Sequence, residues 1–373
     1  MPQEPGTLLD QVACVRCAAA LDIGGPSIEC SRCAQVYGRV GRIPVLLPRA
    51  DDHLTLWRQQ LAALSAQGEH TLRAIETELG SVGLSASGQA RLTALSRALS
   101  AQVKDIVGRV GPALGGPLEG GTGALPRGVV EYIQFLYRDW GWDSAEQPEN
   151  ERALGAIRKI VAPGALGQTL VIGAGACRLA YDLHRQLGAS ETAVIDIDPF
   201  LFVIAEAVVR GEAVQLTEST ANVQDLSQVA RTWLLRAPSG PLDAREFHFF
   251  LANGLAPPFA DHSFDTVVTP WFIDQVPGDL LGFFERLSRL LKPGGRWINS
   301  GPLLYPTDMP LARRFSREEV FELAERAGFV IDAWSSESRP HLESPLNGRG
   351  KIEWVLTFVA SAAASPAEPS AAP

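Results

Sequence analysis

Three groups of residues in this chain have the types and spacing to do chemistry. In residues 169–180 (TLVIGAGACRLA) a short apolar run ends at Gly173 and Gly175, and a second run, AVID, ends at Asp196. Glycines in such a turn let a ligand approach bare backbone at a helix N-terminus. An acid about twenty residues later, at the end of the next strand, stands where an open α/β sheet meets a ribose. Together they describe a nucleotide-type pocket. The second group is Cys14-Val-Arg-Cys17 and Cys30-Ser-Arg-Cys33, which holds four of the five cysteines. The third is Asp274 with Gln275, closing the run FDTVVTPWFIDQ over residues 264–275, at the mouth of the same kind of sheet.

Each group narrows the chemistry. The third glycine of a pyrophosphate-binding turn is missing, with Cys177 and Arg178 in that region, and no Walker lysine follows. S-adenosylmethionine, which has a ribose and no phosphate, fits the pocket better. Two C-x-x-C pairs in a reducing compartment point to tetrahedral thiolate coordination of zinc, each pair forming a knuckle that presents both sulfurs to one metal. The alternatives are a redox pair or a ribbon that has lost its metal. A site with four protein ligands has no open position, so such a zinc holds a fold together and does not activate water. Cys177 reads as a small buried residue of the glycine turn. His184, His248 and His262 lack metal-binding spacing and read as structural or exposed, and Asp198 reads as solvated, as a helix cap or, less favoured, as a contact to the adenosine.

The elements that must position these groups follow from periodicity. Apolar runs bounded by glycine and proline predict strands at 170–172, 193–199, 246–253, 264–270, 296–302, 329–334 and 353–360, alternating with helical patterns at 149–161, 200–210, 280–290 and 316–327. The third strand ends near Asn253, where such pockets often contact an adenine. Upstream, helical spacing from residue 51 to about 109 breaks at 80–88 and predicts two or three amphipathic helices, and the Gly/Pro-rich stretch 111–123 predicts a loop. The aromatic stretch 131–143 is read as core or as a lid over the pocket. The expected division is a zinc ribbon at 1–49, a helical connector and loop at 50–125, the α/β domain at 126–362 and a disordered tail at 363–373. The formal charge of −9 disfavours a polyanion as the default partner, and no apolar run reaches the eighteen or so residues of a membrane span. The chain is therefore expected to be soluble and cytoplasmic, with a small molecule or peptide as its partner rather than nucleic acid or membrane.

The glycine turn, the acid strand, Phe264-Asp-Thr-Val-Val-Thr269 and Leu290-Leu-Lys-Pro-Gly-Gly-Arg296, in that order, resemble the class I S-adenosylmethionine-dependent methyltransferases. That resemblance implies a doubly wound, mostly parallel, seven-stranded Rossmann-like sheet. Arg138-Asp-Trp140, Val268-Thr-Pro-Trp-Phe-Ile-Asp274 and Trp297-Ile-Asn-Ser-Gly-Pro-Leu-Leu-Tyr305 are similar to the carnosine N-methyltransferase family, over roughly residues 128 to 360. The cysteine module resembles small zinc-ribbon domains that accompany or activate certain methyltransferases. The family resemblance carries cofactor contacts onto Arg138, Gly173, Gly175, Arg178 and Asp196; Asn253 is a cofactor candidate from its place at the end of the third strand. The resemblance carries substrate contacts onto Asp274 and Tyr305, Asp274 orienting an imidazole or amine nitrogen or taking its proton. Pro306 stands where the family's L-L-Y-H has histidine, and the family's C-terminal tyrosine has no counterpart around residues 351–354. Methyl transfer is thus implied more directly than the acceptor. Other readings are a methyltransferase for protein or RNA with the ribbon as docking surface, and a binding protein without activity.

Overall fold

The computed structural model describes residues 6–25, 27–118, 129–142, 149–161, 164 and 166–363. The strands are β1 (Ile28–Glu29), β2 (Val36–Tyr37), β3 (Arg39–Val40), β4 (Ile43–Leu46), β5 (Gly167–Ile172), β6 (Ala189–Asp196), β7 (Val214–Ser219), β8 (Ala230–Leu235), β9 (Phe247–Ala252), β10 (Phe264–Pro270), β11 (Leu291–Gly301), β12 (Phe329–His341) and β13 (Lys351–Ala362). The helices are α1 (Ala50–Leu79), α2 (Ala86–Leu114), α3 (Val129–Trp140), α4 (Glu149–Ile160), α5 (Arg178–Leu187), α6 (Pro199–Val209), α7 (Leu280–Leu290) and α8 (Arg317–Arg326).

One sheet organises the molecule, in the order β12-β13-β11-β10-β5-β6-β9-β4-β3. Seven of these strands are the ones foreseen from the apolar runs, and they form a doubly wound, mostly parallel sheet in which β13 alone of the seven runs against its neighbours. The sheet has nine strands rather than the seven expected. The two extra strands come from the cysteine-bearing segment: β4 pairs in parallel with β9 through Val45↔Leu251 and Leu46↔Ala252, and β3 closes the edge.

The strands are apolar without alternation because both faces are covered. Val171 and Val194 face one core with the aromatic residues Tyr137, Tyr181 and Phe202 of α3, α5 and α6. Their neighbours Leu170, Ile172, Ala193 and Ile195 face the other, with Phe284 of α7, Val320 of α8 and Leu8 and Val12 of the N-terminal segment. Helix starts follow the side chains that can accept from free N–H groups: Asp198 caps α6, Asp279 caps α7, and Ser316 with Glu319 forms the expected capping box of α8.

Helices α1 and α2 form an antiparallel pair joined across the foreseen break, and α2 packs on β7 and α6. The loop expected from residue 111 starts later, because α2 continues through Pro112 to Leu114. Pro112 is tolerated there because the helix ends within a turn of it. The remainder of that loop (119–123), Asp143 and the expected disordered tail from 364 onward lie outside the described residues. Strands β7 and β8 form a separate antiparallel hairpin that the sequence reading did not anticipate. Among the described residues no helix is long and apolar enough to cross a membrane.

Candidate active site

A cavity of about 410 Å³ opens along the carboxyl ends of the parallel strands. One end lies over β5, β6 and β9, where it is lined by Gly173, Gly175, Asp196, Asn253 and Gly254; the other lies beyond β10, where Trp271, Phe272, Gln275 and Pro277 meet Arg339 and Pro340 of β12. Four of the expected cofactor residues in addition to Arg138 are therefore brought to one cleft.

Backbone conformation explains the glycines. Gly173 has φ of 72°, and a Cβ there would stand 2.5 Å from Cδ2 of Phe272; Gly175 has φ of 55° and open space above it. Only glycine combines this conformation with that approach. Asp196 holds the turn in place: its Oδ2 accepts from the Gly175 N–H at 2.8 Å, while Oδ1 accepts from Ile197 at 2.7 Å and Asp198 at 3.0 Å. Burial pushes its carboxyl above the usual value, and these three N–H groups oppose the shift. Asp198 takes the capping role, accepting from Phe200 and Leu201. Burial and the adjacent Asp196 raise it to about 7.

Arg138 and Arg178 part company. Arg138 lines the cavity, donating from Nε to Asp139 Oδ1 at 2.6 Å and lying 3.5 Å from Glu149. Arg178, expected beside it, is turned into the protein. Its Nε donates to Asp182 at 2.8 Å and its Nη1 to the Asp139 carbonyl at 2.7 Å, so it fastens the end of α3 to the start of α5. The Trp140 indole adds a second tie, donating to the Ala176 carbonyl at 2.7 Å. Arg178 is not among the cavity-lining residues.

Asp274 lies in a short 3-10 turn beside Gln275 and is only 2% exposed. Its Oδ2 accepts from the Leu304 N–H at 3.1 Å, and among the described residues its Oδ1 and the Tyr305 hydroxyl have no hydrogen-bond partner. Burial, with a smaller push from Glu353, raises the Asp274 carboxyl to about 6, against hydrogen bonds from Gln275 and Leu304. Burial and the neighbouring Asp274 charge likewise raise the Tyr305 hydroxyl. Neither residue lines the cavity itself; Gln275 does.

Sequence reasoning passed over Glu149, Trp271, Arg339 and His341. His341 stacks on Trp271 at a centroid distance of 3.9 Å, and its Nδ1 is 3.1 Å from Glu149 Oε1, so α4, β12 and the loop after β10 meet at the cavity wall. The W-F dipeptide before Asp274 was a usable signal for Trp271. Arg339 and His341 had none, because the strand foreseen at 329–334 continues to 341. His184, His248 and His262 are engaged by Thr192, Glu191 and the Leu291 carbonyl, in keeping with structural roles.

Cys14, Cys17, Cys30 and Cys33 bring their four sulfurs within 4.8 Å of one another. The Sγ–Sγ distances of 3.6 Å for Cys14–Cys33 and 3.5 Å for Cys17–Cys30 are close to the edge of about 3.8 Å that a tetrahedron with Zn–S bonds of about 2.3 Å requires. Burial disfavours a charged Cys14, yet the Tyr37 hydroxyl and the amides of Arg16 and Cys17 outweigh it and draw the thiol down to about 6. The donor set fits a structural metal.

The sheet order, the glycine turn braced by an acid and the cleft at the strand ends define a class I methyltransferase-type fold. Residues 127–339 match the family model for carnosine N-methyltransferase, more than half of the chain, and the protein belongs to that family. The carnosine N-methyltransferase of Dictyostelium discoideum is 51% identical over 45 residues, covering 12% of this chain and 10% of that protein. The rat enzyme of the same name is 32% identical over 74 residues, 19% of this chain and 18% of its own length. The chain thus aligns with less than a fifth of either relative. Among solved structures, a methyltransferase from Methanosarcina mazei is 17% identical with a TM-score of 0.38, covering 56% of this chain and 97% of that one. A phosphoethanolamine N-methyltransferase from Haemonchus contortus is 16% identical with a TM-score of 0.41, covering 64% and 58%.

Proposed function

We propose that this protein is an S-adenosylmethionine-dependent N-methyltransferase whose acceptor is an imidazole or amine nitrogen of a small molecule or histidine-containing peptide. The observation that carries the reading is one cavity joining the Asp196-braced glycine turn to the loop that carries Asp274, in a member of the carnosine N-methyltransferase family. The residues fit the donor: Gly173 and Gly175 leave the backbone bare, Asp196 offers a carboxylate to a ribose, Asn253 stands at the β9 end for an adenine, and Arg138 offers a cation to a carboxylate.

S-adenosylmethionine, when bound, supplies an electrophilic methyl group on a sulfonium. The chain's own contribution is to place the acceptor nitrogen, keep water out and receive a proton. Trp271, Phe272 and Pro277 supply the apolar walls that exclude water at the acceptor end. Asp274 has an unpaired Oδ1 one residue from Gln275, and we assign it the acceptor's N–H, whose proton it takes as positive charge develops on the ring. The Tyr305 hydroxyl, likewise unpaired, stands beside that carboxylate as the second polar contact. The four cysteines would hold a zinc ion whose role is to fix the N-terminal fold.

The test is a methyl-transfer screen with labelled donor against carnosine, other histidine-containing dipeptides, histidine and histamine. Transfer to an imidazole or amine nitrogen that Asp274→Ala abolishes, with donor affinity within about twofold of wild type, supports the assignment. No transfer to any of these acceptors by a chain that binds the donor refutes it.

A further inference from the structure

The acceptor end of the cavity contains a cation whose place in the chemistry above is unassigned. Arg339 lines the cavity from the end of β12, yet it is only 6% exposed. Its Nη2 donates to the Ser300 hydroxyl at 3.4 Å, a long bond. Its Nη1 lies 3.6 Å from Glu337 and has no hydrogen-bond partner among the described residues. A buried guanidinium with an idle N–H costs free energy unless something completes it, since each unmade bond leaves the desolvation of a charged group uncompensated.

Its position says what would complete it. Strand β12 runs antiparallel to β13, and β13 antiparallel to β11, so the end of β12 comes to the same side as the ends of β10 and β11. Arg339 therefore lines the cavity from the opposite flank of the sheet to Asp196 and Asn253, with β13, β11, β10 and β5 between β12 and β6. The other arginine that lines the cavity, Arg138 on α3, is already matched to carboxylates, Asp139 at 2.6 Å and Glu149 at 3.5 Å. The walls around Arg339 hold a second feature that suits a flat, partly charged molecule: the Trp271 ring, braced from behind by His341. A planar fork of N–H donors is the geometry that carboxylates accept in a bidentate manner.

We propose that Arg339 binds a carboxylate on the methyl acceptor, so that the enzyme selects acceptors carrying a carboxylate in addition to the nitrogen that is methylated. Asp274 and Arg339 then divide the acceptor between them, one reading its N–H and the other its anionic group. This inference rests on the methyltransferase reading above and adds a specificity determinant to it.

The test compares acceptors that differ only in the carboxylate: carnosine against β-alanylhistamine, and histidine against histamine. Binding is titrated on the full chain saturated with S-adenosylhomocysteine, and transfer is measured separately. For wild type the carboxylate-bearing member of each pair is expected to bind about 10- to 100-fold more tightly, the ratio that a charge-assisted hydrogen bond supplies. In Arg339→Met that preference should fall to within about threefold while S-adenosylhomocysteine affinity, which also reports folding, stays within about twofold; Arg339→Lys should retain part of it. A wild type that shows no preference, including one that binds neither member, overturns the proposal. So does a preference that survives in Arg339→Met, or a matching loss of S-adenosylhomocysteine affinity in both variants. A carboxylate preference in binding with no methyl transfer to any acceptor would sink the methyltransferase reading and leave the Arg339 assignment standing.

Discussion

Replacing Asp274 with asparagine should make the protein more stable while removing its activity. The carboxyl is 2% exposed, and burial raises it from 3.8 to about 6. A shift of roughly two units at 1.36 kcal/mol each means that the ionised side chain costs the native state up to about 3 kcal/mol at neutral pH. The sign follows from proton counting. Between pH 4 and pH 6 the folded chain keeps a proton that the unfolded chain has released, so stability falls as pH rises through that window and is level above it. Asparagine preserves the shape and an oxygen for the Leu304 N–H without the charge. Urea unfolding of the ligand-free protein should therefore give Asp274→Asn an advantage of about 1 to 3 kcal/mol at pH 7.5, shrinking toward zero near pH 4. Methyl transfer should be lost at both pH values. An asparagine variant that is less stable than wild type at pH 7.5, or whose advantage is the same at pH 4, would refute the claim that this carboxylate is held ionised at a cost for the sake of its chemistry.

Three further outcomes are expected. Asp196→Asn exchanges one of two accepting oxygens for a donor facing the N–H groups of Gly175, Ile197 and Asp198, and calorimetric titration should show S-adenosylmethionine bound about 10- to 100-fold more weakly. Arg178→Met removes the guanidinium that pairs with buried Asp182; a loss of about 3 to 5 kcal/mol in unfolding free energy is expected, and an unchanged stability with weakened donor binding would instead support Arg178 as a direct ligand. Cys30→Ser, or a chelator added to the purified protein, should lower the melting temperature and release one equivalent of zinc per chain as measured by a metal dye; full stability without bound metal would remove the structural role.

The residues explain which parts of this architecture could be read in advance. Strands β5, β6, β9 and β10 are short apolar runs bounded by glycine, proline or acids, and burial on both faces leaves no other use for such runs. The β7–β8 hairpin escaped because neither face is uniformly apolar: one pairs Gln215 with exposed Leu234, and the other puts Glu218 opposite Arg231 beside Leu216 and Trp233. The pairing of β4 with β9 joins residues some two hundred positions apart, and no local pattern encodes such a contact. Gly173, Gly175 and Asp196 were legible because the turn's backbone demands them. Arg178 was not, although Asp182 one helical turn later offered an i,i+4 partner that turns the guanidinium inward. Arg339 became visible only once β12 proved long enough to bring it to the cavity.

The attachment of the N-terminal segment to the edge of the sheet has its own consequence. Where an accessory subunit clamps onto an enzyme from outside, the pair can dissolve on dilution and rivals can compete for the clamp. Here the clamp and the strand it grips share one chain, so its local concentration is fixed by the tether and independent of expression level. Strand β4 covers the last two residues of β9, Leu251 and Ala252, so the end of that edge next to Asn253 is paired. If the four cysteines hold zinc, as proposed, its loss is expected to loosen the segment that carries β4, whose last pair, Leu46 with Ala252, adjoins Asn253 in the cavity wall.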